Sequence, residues 1–418
     1  MFTACNGVAP VPYKDPWLTP VDDRIKALSV GQFRVCYFYE NLDNSTFRYR
    51  VYNMIQALSL RSGQVAASFF TAAEIQYMEQ FIDRADVLVV CRVKYTADAN
   101  RAITRAKRRG LRVLFDVDDL VFEVSYAHLL MESLAVDMTS EPQYTYWYSY
   151  IGRIGALAKL CDGGITTNAF LAKYLSELLG EHAPVGVIPN FMNREQTTFS
   201  DSLYRKKKES GFKRDDKIHL GYFSGTPSHN RDFQIISETL AELFDRDPRL
   251  RLRLVGYIDL DATMDRHADR LERYPMHDFI NLQYLIGSTE INLVPLQNNI
   301  FTNCKSELKY FEAARVGTIT VASPTFTYSR AITHGRNGFL ANAQDWSAQI
   351  EAICGALDRY DAVAESAHIH AFECFDWSRQ ADVILSVLSG KQSETTAGDA
   401  PIPRHDLGVL HQRVGSPS

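Results

Sequence analysis

The sequence predicts an α/β protein built from two doubly wound, parallel-sheet domains in tandem. Three observations predict it. From Arg34 onward, short β-branched or aromatic runs alternate with helix-patterned stretches of roughly 10 to 15 residues, the pattern of repeated βαβ units. The alternation breaks once, over 193–216, where apolar content falls and Arg205, Lys206, Lys207 and Lys208 stand together, and then it resumes. A chain of 418 residues, 46% hydrophobic and 23% charged, is long enough for two ordinary cores.

Taken in order, residues 1 to about 30 read as an irregular lead-in. The runs Arg34–Tyr39, Val87–Cys91, Arg112–Val117, Gly164–Thr166 and Gly186–Pro189 are the expected strands of a first sheet. A helix is expected over Thr96–Arg109, with Gly110 as a left-handed stop, and another opens at Asn168 and ends at Gly180. In the second half, strands are expected at Ile218–Phe223, Leu252–Val255, Ile291–Pro295, Thr318–Ala322 and Gly338–Leu340. Helices are expected at Asp232–Phe244, Ser306–Val316 and Asp345–Leu357. The resulting domain reading is 1–192, a linker over 193–216 with its basic run in solvent, 217–371, and a tail over 390–418 expected to be disordered.

Composition excludes several function classes. Forty-five Lys plus Arg against 50 Asp plus Glu give a net charge of -5, so no global positive field favours nucleic acid. Seven scattered cysteines with no CxxC pair read as reduced thiols of a cytoplasmic protein, not a disulfide or zinc framework. The apolar runs fall far short of the ~20 residues of a membrane helix, which leaves peripheral contact at the inner face of a membrane as the expected membrane association. The aromatic run Tyr144-Thr-Tyr-Trp-Tyr-Ser-Tyr150 is open to two readings, buried core or an acceptor-lipid or membrane-facing surface.

Four segments carry candidate chemistry. Phe301–Ser323 is a polar loop running into a helix, and on that helix Lys305, Lys309 and Glu312 share a face. A helix N-terminus with Lys305, Ser306 and Lys309 suits a diphosphate, and Glu312, two turns further in, suits the paired hydroxyls of a ribose. A solvent-facing Lys–Glu pair explains the same spacing equally well. Ser224, Gly225, Thr226 and His229 follow a strand and offer backbone and side-chain donors to phosphate. Asp116, Asp118 and Asp119 stand at the C-terminal end of a strand, the edge where open α/β sheets bind ligands. A metal site, a receiver-type acidic pocket, a site facing the reacting groups and a helix cap all remain open for them. Ser45, Arg48 and Arg50 follow the first strand; the two arginines are i, i+2 and cannot face the same way, and Arg50 is the one expected at the cleft.

The run Ile291-Asn-Leu-Val-Pro-Leu, then Lys305-Ser-Glu-Leu-Lys-Tyr-Phe-Glu-Ala-Ala-Arg-Val-Gly317 and Val321-Ala-Ser, resembles the donor signature of the retaining GT-B glycosyltransferases, group 1 type, especially those of bacterial surface-polysaccharide (O-antigen or capsule) synthesis. The resemblance covers roughly residues 33–389. It implies GT-B architecture, two Rossmann-like domains facing a central cleft. Glu312 matches the family's ribose-binding glutamate, whereas Cys304 stands where the family has a glutamate touching the transferred sugar. Ser224–His229 resemble the loop that meets the donor diphosphate, Ser45–Arg50 the loop that helps hold phosphates and acceptor, and Asp118 stands where a histidine is common. Val187-Ile-Pro-Asn190 resembles the crossover from the first domain, and Phe372–Ser378 the start of a final helix, 372–389, that returns to it.

The expected function is transfer of a sugar from a nucleoside-diphosphate sugar to a saccharide or lipid-linked acceptor, with retention, without cofactor or metal. Asp118, Asp119 and Lys305 are the expected catalytic residues. The other readings are a nucleotide-sugar epimerase or glycosyl phosphorylase on the same scaffold, and a non-catalytic binding partner.

Overall fold

A computed structural model describes residues 1–225, 230–258, 260 and 262–390. The segment expected to be a disordered tail lies, past Gly390, outside the described residues. Two six-stranded, wholly parallel sheets form the two domains. The first contains β1 Phe33–Tyr39, β2 Val65–Thr71, β3 Val87–Cys91, β4 Arg112–Val117, β5 Gly163–Thr166 and β6 Val185–Val187, in the order β2-β1-β3-β4-β5-β6. The second contains β7 Ile218–Ser224, β8 Leu250–Gly256, β9 Leu271–Tyr274, β10 Ile291–Val294, β11 Ile319–Ala322 and β12 Phe339–Leu340, in the order β12-β11-β10-β7-β8-β9. The strand order reverses beside β1 and β3 in the first sheet and beside β7 and β10 in the second, and ligand crevices of open sheets form outside the carboxyl ends at such points.

Local signals place the early helices. Thr96 caps Ala97–Arg108 by accepting from the Ala99 N–H at 3.0 Å, and Gly110 follows with φ +77°. Asn168 caps Ala169–Leu179 by accepting from the Leu171 N–H at 2.9 Å, and Gly180 stops it at φ +87°. Each such cap contributes about 1 kcal/mol.

The segment 193–216 is corrected by the structure. Most of it is a helix, Arg194–Glu209, that joins the domains and buries Gln196, Thr197, Ser200, Leu203, Tyr204 and Lys207. That stripe has helical spacing, but four of its six members are polar, so it carries no hydrophobic period. The basic run is not all in solvent. Lys207 is fully buried, and its ammonium donates to the carbonyls of Gly287, Val316 and Gly317 at 2.8–2.9 Å while sitting 3.9 Å from the Phe2 ring centre. Burial pushes this ammonium down, to about 7, and the three carbonyl dipoles oppose that shift.

The lead-in also has structure. Phe2 is buried against Phe212 and Tyr360 of the second domain, and Val21–Ala27 is helical. Trp17, likewise buried, packs on Phe47, Tyr52 and Phe279.

The return to the first domain starts later than 372. Phe372–Phe375 finish the helix Tyr360–Phe375, the chain breaks at Asp376, which accepts from the Ser378 N–H at 3.0 Å, and the final helix is Ala381–Ser389. That helix lies on the first domain: Arg112 donates to the carbonyls of Val387 and Leu388, and a β-carbon at Gly186 would come 2.5 Å from Val387. Beside the break, the Met192 N–H donates to the Phe375 carbonyl at 2.9 Å, so the outgoing and returning crossings touch.

His368 on the Tyr360–Phe375 helix stacks on Tyr204 at 3.7 Å, and its Nδ1 lies 2.9 Å from the Arg315 carbonyl. Burial, then the Arg315 charge, lowers it to about 4. A depressed folded pKa contributes stability that is present above the ordinary value near 6.5 and lost as pH falls toward 4. In urea denaturation of the wild type, His368 should therefore contribute about 1–2 kcal/mol to the difference in unfolding free energy between pH 7.5 and pH 5. The part of that difference due to His368 disappears in His368→Phe; an unchanged pH slope in that variant removes the explanation.

Candidate active site

The carboxyl ends of β1, β3 and β4 bring four side chains together. Arg92, the residue after β3, is held at φ +47°, left-handed backbone that a non-glycine residue rarely adopts. Its guanidinium Nη1 lies 3.1 Å from Thr46 Oγ1, 3.2 Å from Asp118 Oδ1 and 3.4 Å from Asp119 Oδ2. The Thr46 hydroxyl donates to Asp118 Oδ2 at 2.8 Å. Burial pushes the Asp118 carboxyl above the usual carboxylate range; Arg92 opposes the shift and Asp119 adds to it.

Asp116 and Asp118 do not share a role. Asp116 is inside β4 and forms a buried bidentate pair with Arg50, Nε to Oδ1 at 2.8 Å and Nη2 to Oδ2 at 3.0 Å. Arg50 Nη1 donates to the Ile188 carbonyl and to Asn190 Oδ1. The expectation for Arg50 is thus corrected: it is fully buried, and each of its three guanidinium nitrogens is spent inside the first domain. The i, i+2 argument holds with the residues exchanged, because Arg48 is the one that points to the second domain. Its Nη1 donates to Gln196 at 3.0 Å, and its Nη2 lies 3.7 Å from Glu312. Ser45 is exposed on the loop after β1, its N–H donating to Asp43.

Glu312 is nearly buried, 5% exposed, and faces the other domain. The Tyr49 hydroxyl donates to its Oε1 at 2.5 Å and Gln196 Nε2 at 2.8 Å. Tyr49, Gln196 and Arg48 all converge on that one oxygen.

The helix carrying Glu312 is Leu308–Arg315, so Lys305 and Ser306 precede it instead of opening it. The Lys305 ammonium sits 4.8 Å from the Phe301 ring centre in a crevice shared with Asp232, Thr302 and, from the first domain, Glu132. Ser306 Oγ is buried beside the Glu307 carboxyl. The Lys309 ammonium lies 5.0 Å from the Tyr222 ring centre; burial lowers it to about 8, with Asp232 opposing and Lys305 adding. Lys305 and Lys309 thus feel one another, and a dianion between them would relieve the repulsion. Glu307, at the head of the helix, has its carboxyl pushed up to about 7 by burial. Cys304 is buried, its carbonyl accepting from Asn168 Nδ2 of the first domain at 2.8 Å; burial and nearby Asp119 hold its thiol neutral.

Ser224 ends β7, buried, and Gly225 follows. Among the described residues, a β-carbon at 225 would make only ordinary contact, 3.8 Å from Met276. Thr226 and His229 lie outside the described residues.

Residues 218–359 match the family model for glycosyl transferases, group 1. The second domain is a group 1 glycosyltransferase domain. Over 208 residues the chain is 28% identical to the D-inositol 3-phosphate glycosyltransferase of Arthrobacter sp. (strain FB24), a match covering 47% of this chain and 46% of that protein. The alignment thus spans about half the length of that curated relative. The whole two-domain architecture is similar to Anabaena HepE in complex with UDP and glucose: TM-score 0.59, 13% identity, 86% of this chain and 100% of that one. It is similar to a glycosyltransferase from Rickettsia africae at TM-score 0.57 and 13% identity, over 86% of this chain and 99% of the other. The fold is GT-B, as the resemblance implied.

On the glycosyltransferase domain and its partner, four cleft residues escaped the sequence reading: Thr46, Tyr49, Arg92 and Gln196. Arg92 had a signal, since it is the first residue past the apolar run Val87–Cys91, the same edge position that singled out Asp118. Gln196 had none, because it lay in a segment read as linker.

Proposed function

We propose that this chain transfers a sugar from a nucleoside-diphosphate sugar, bound by the glycosyltransferase domain, to a saccharide or lipid-linked saccharide held by the first domain, with retention of configuration, in bacterial surface-glycan synthesis. The observation that carries the reading is the pairing of Lys305 and Lys309, beside the buried Ser306 hydroxyl, across a cleft from the Arg92–Asp118–Asp119 cluster. In the reaction the bond from the anomeric carbon to the diphosphate breaks and a bond to the acceptor oxygen forms, while the acceptor's proton passes to a basic oxygen. The lysines offset charge developing on the diphosphate, the largest electrostatic demand of such a step. Glu312 Oε2 takes the ribose hydroxyls, Oε1 being occupied by Tyr49 and Gln196. Because Cys304 is a buried neutral thiol, Asp119 beside it takes over the carboxylate contact to the transferred sugar.

A thermal-shift screen against UDP, GDP, dTDP, ADP and CMP tests the donor half, since a ligand of the folded state raises Tm by mass action. One diphosphate should stabilise wild type and fail to stabilise Lys305→Met or Glu312→Gln. No shift with any of the five removes the donor reading. Release of free diphosphate only when acceptor is present separates transfer from epimerisation, which needs no acceptor.

A further inference from the structure

One surface feature of the first domain is not used by that reading. The helix Glu141–Ala158 carries Thr145, Tyr146, Ser149, Tyr150 and Arg153 on one face, at spacing i, i+1, i+4, i+5 and i+8, and with Lys94 they line a groove of about 680 Å³. Tyr146 and Tyr150 lie nearly parallel, 16° apart with ring centres at 6.3 Å, as two steps of one aromatic platform. Tyr146 is 57% exposed. A side chain of that size left in solvent at the outer end of a formed groove is unspent binding surface.

Two contacts relate the groove to the candidate active site. The Lys94 ammonium sits 5.4 Å from the Tyr150 ring centre and 3.0 Å from Glu40, the residue that follows β1. Tyr150 stands within electrostatic reach of Arg92, whose guanidinium holds Asp118 and Asp119. Arg153 is locked in place by two bonds to the Tyr95 carbonyl, at 2.9 and 2.8 Å. Aromatic faces thus alternate with hydroxyls and fixed cations along the groove, and Tyr150 in its lining neighbours the arginine that holds the two carboxylates.

We propose that this groove is an extended subsite for the glycan chain of the acceptor, with sugar rings lying on Tyr146 and Tyr150 and their hydroxyls bonded by Ser149, Thr145 and Lys94. It rests on the glycosyl-transfer reading for the meaning of its inner end. A lipid tail is disfavoured by the rim: Lys94 and Arg153 would have to be desolvated against acyl chains, whereas a carbohydrate offers hydroxyls to those groups and C–H faces to the rings. From residue 142 to residue 153 the helix rises about 16 Å, so the track takes more than one ring and favours an oligosaccharide over a single sugar.

The test uses the full chain on an array of linear glucose, mannose, galactose and N-acetylglucosamine oligomers of one to six sugars. Wild type should hold at least one series with affinity that rises with length. Tyr146→Ala should lose roughly tenfold in that binding, Tyr146→Trp should keep it, and the melting shift with the stabilising nucleotide should be the same in all three. Glycan binding that ignores Tyr146→Ala overturns the proposal. So does a wild type that binds no glycan, and if it then sediments with phosphatidylglycerol vesicles in a Tyr146-dependent way, the platform is a membrane surface. Tyr146-dependent glycan binding without any nucleotide shift leaves the groove standing and the donor reading fallen.

Discussion

Arg50→Met should destabilise the protein by about 3–5 kcal/mol, the usual cost of leaving one member of a buried ion pair alone. The substitution strands the Asp116 carboxylate, which burial already pushes upward and only Arg50 holds down, and it removes the donor from the Ile188 carbonyl and Asn190. A carboxylate left so far from water takes up a proton or opens the structure around β4. Urea denaturation of Arg50→Met, Asp116→Asn and the double variant measures the coupling as a double-mutant cycle. The double variant should recover a large part of the loss, since neither charge is then left alone. A single-variant loss under about 1 kcal/mol would mean that water reaches the pair and that Arg50 is free to serve the cleft after all.

Lys309→Met should lower kcat/KM by about 10²–10³, the range found when one preorganised stabiliser of developing negative charge is removed. At neutral pH the Lys309 ammonium is charged, but burial brings it down to about 8. The cationic form is the useful one, so kcat/KM should fall as pH rises through about 8, on the free-enzyme pKa that this parameter reports. Lys309→Arg is the informative control, because a guanidinium keeps its charge past that point and should move the alkaline limb outward. A limb that stays near 8 in Lys309→Arg assigns it to another group and takes Lys309 out of the diphosphate site.

Much of the fold was legible because parallel strands buried on both faces read as apolar runs; β3 and β4 match their expected bounds residue for residue. Two strands were not. β2, Val65–Thr71, runs through Ala66, Ala67 and Ser68, whose small side chains carry little strand preference, and β9, Leu271–Tyr274, is an edge strand with Glu272 and Arg273 at its centre. The Arg194–Glu209 helix was hidden for a different reason: it is fixed by hydrogen bonds and by the Lys207 nest, and hydropathy does not register those. At the candidate site, residue types and strand edges pointed to the segments around Asp118 and Lys305. Which of two neighbouring arginines turns inward was not legible, because Arg48 and Arg50 differ only in what the fold places opposite them, Gln196 and Glu312 for one and Asp116 for the other.

The chain passes between the domains three times: the lead-in leaves the second domain at Val11, bonded to Asn281, and reaches the first at Trp17, packed on Phe47, and two later passages are tied by the bond from the Met192 N–H to the Phe375 carbonyl. The two later tethers share one line, and in a rotation about it a residue travels a longer arc the farther it lies away, while the lead-in is a third tether that must flex or let go for the rotation to proceed. If the proposed transfer holds, nucleotide release and acceptor entry both draw on that rotation, which a pair of fluorophores placed one on each domain, away from the tethers, would report as a distance change.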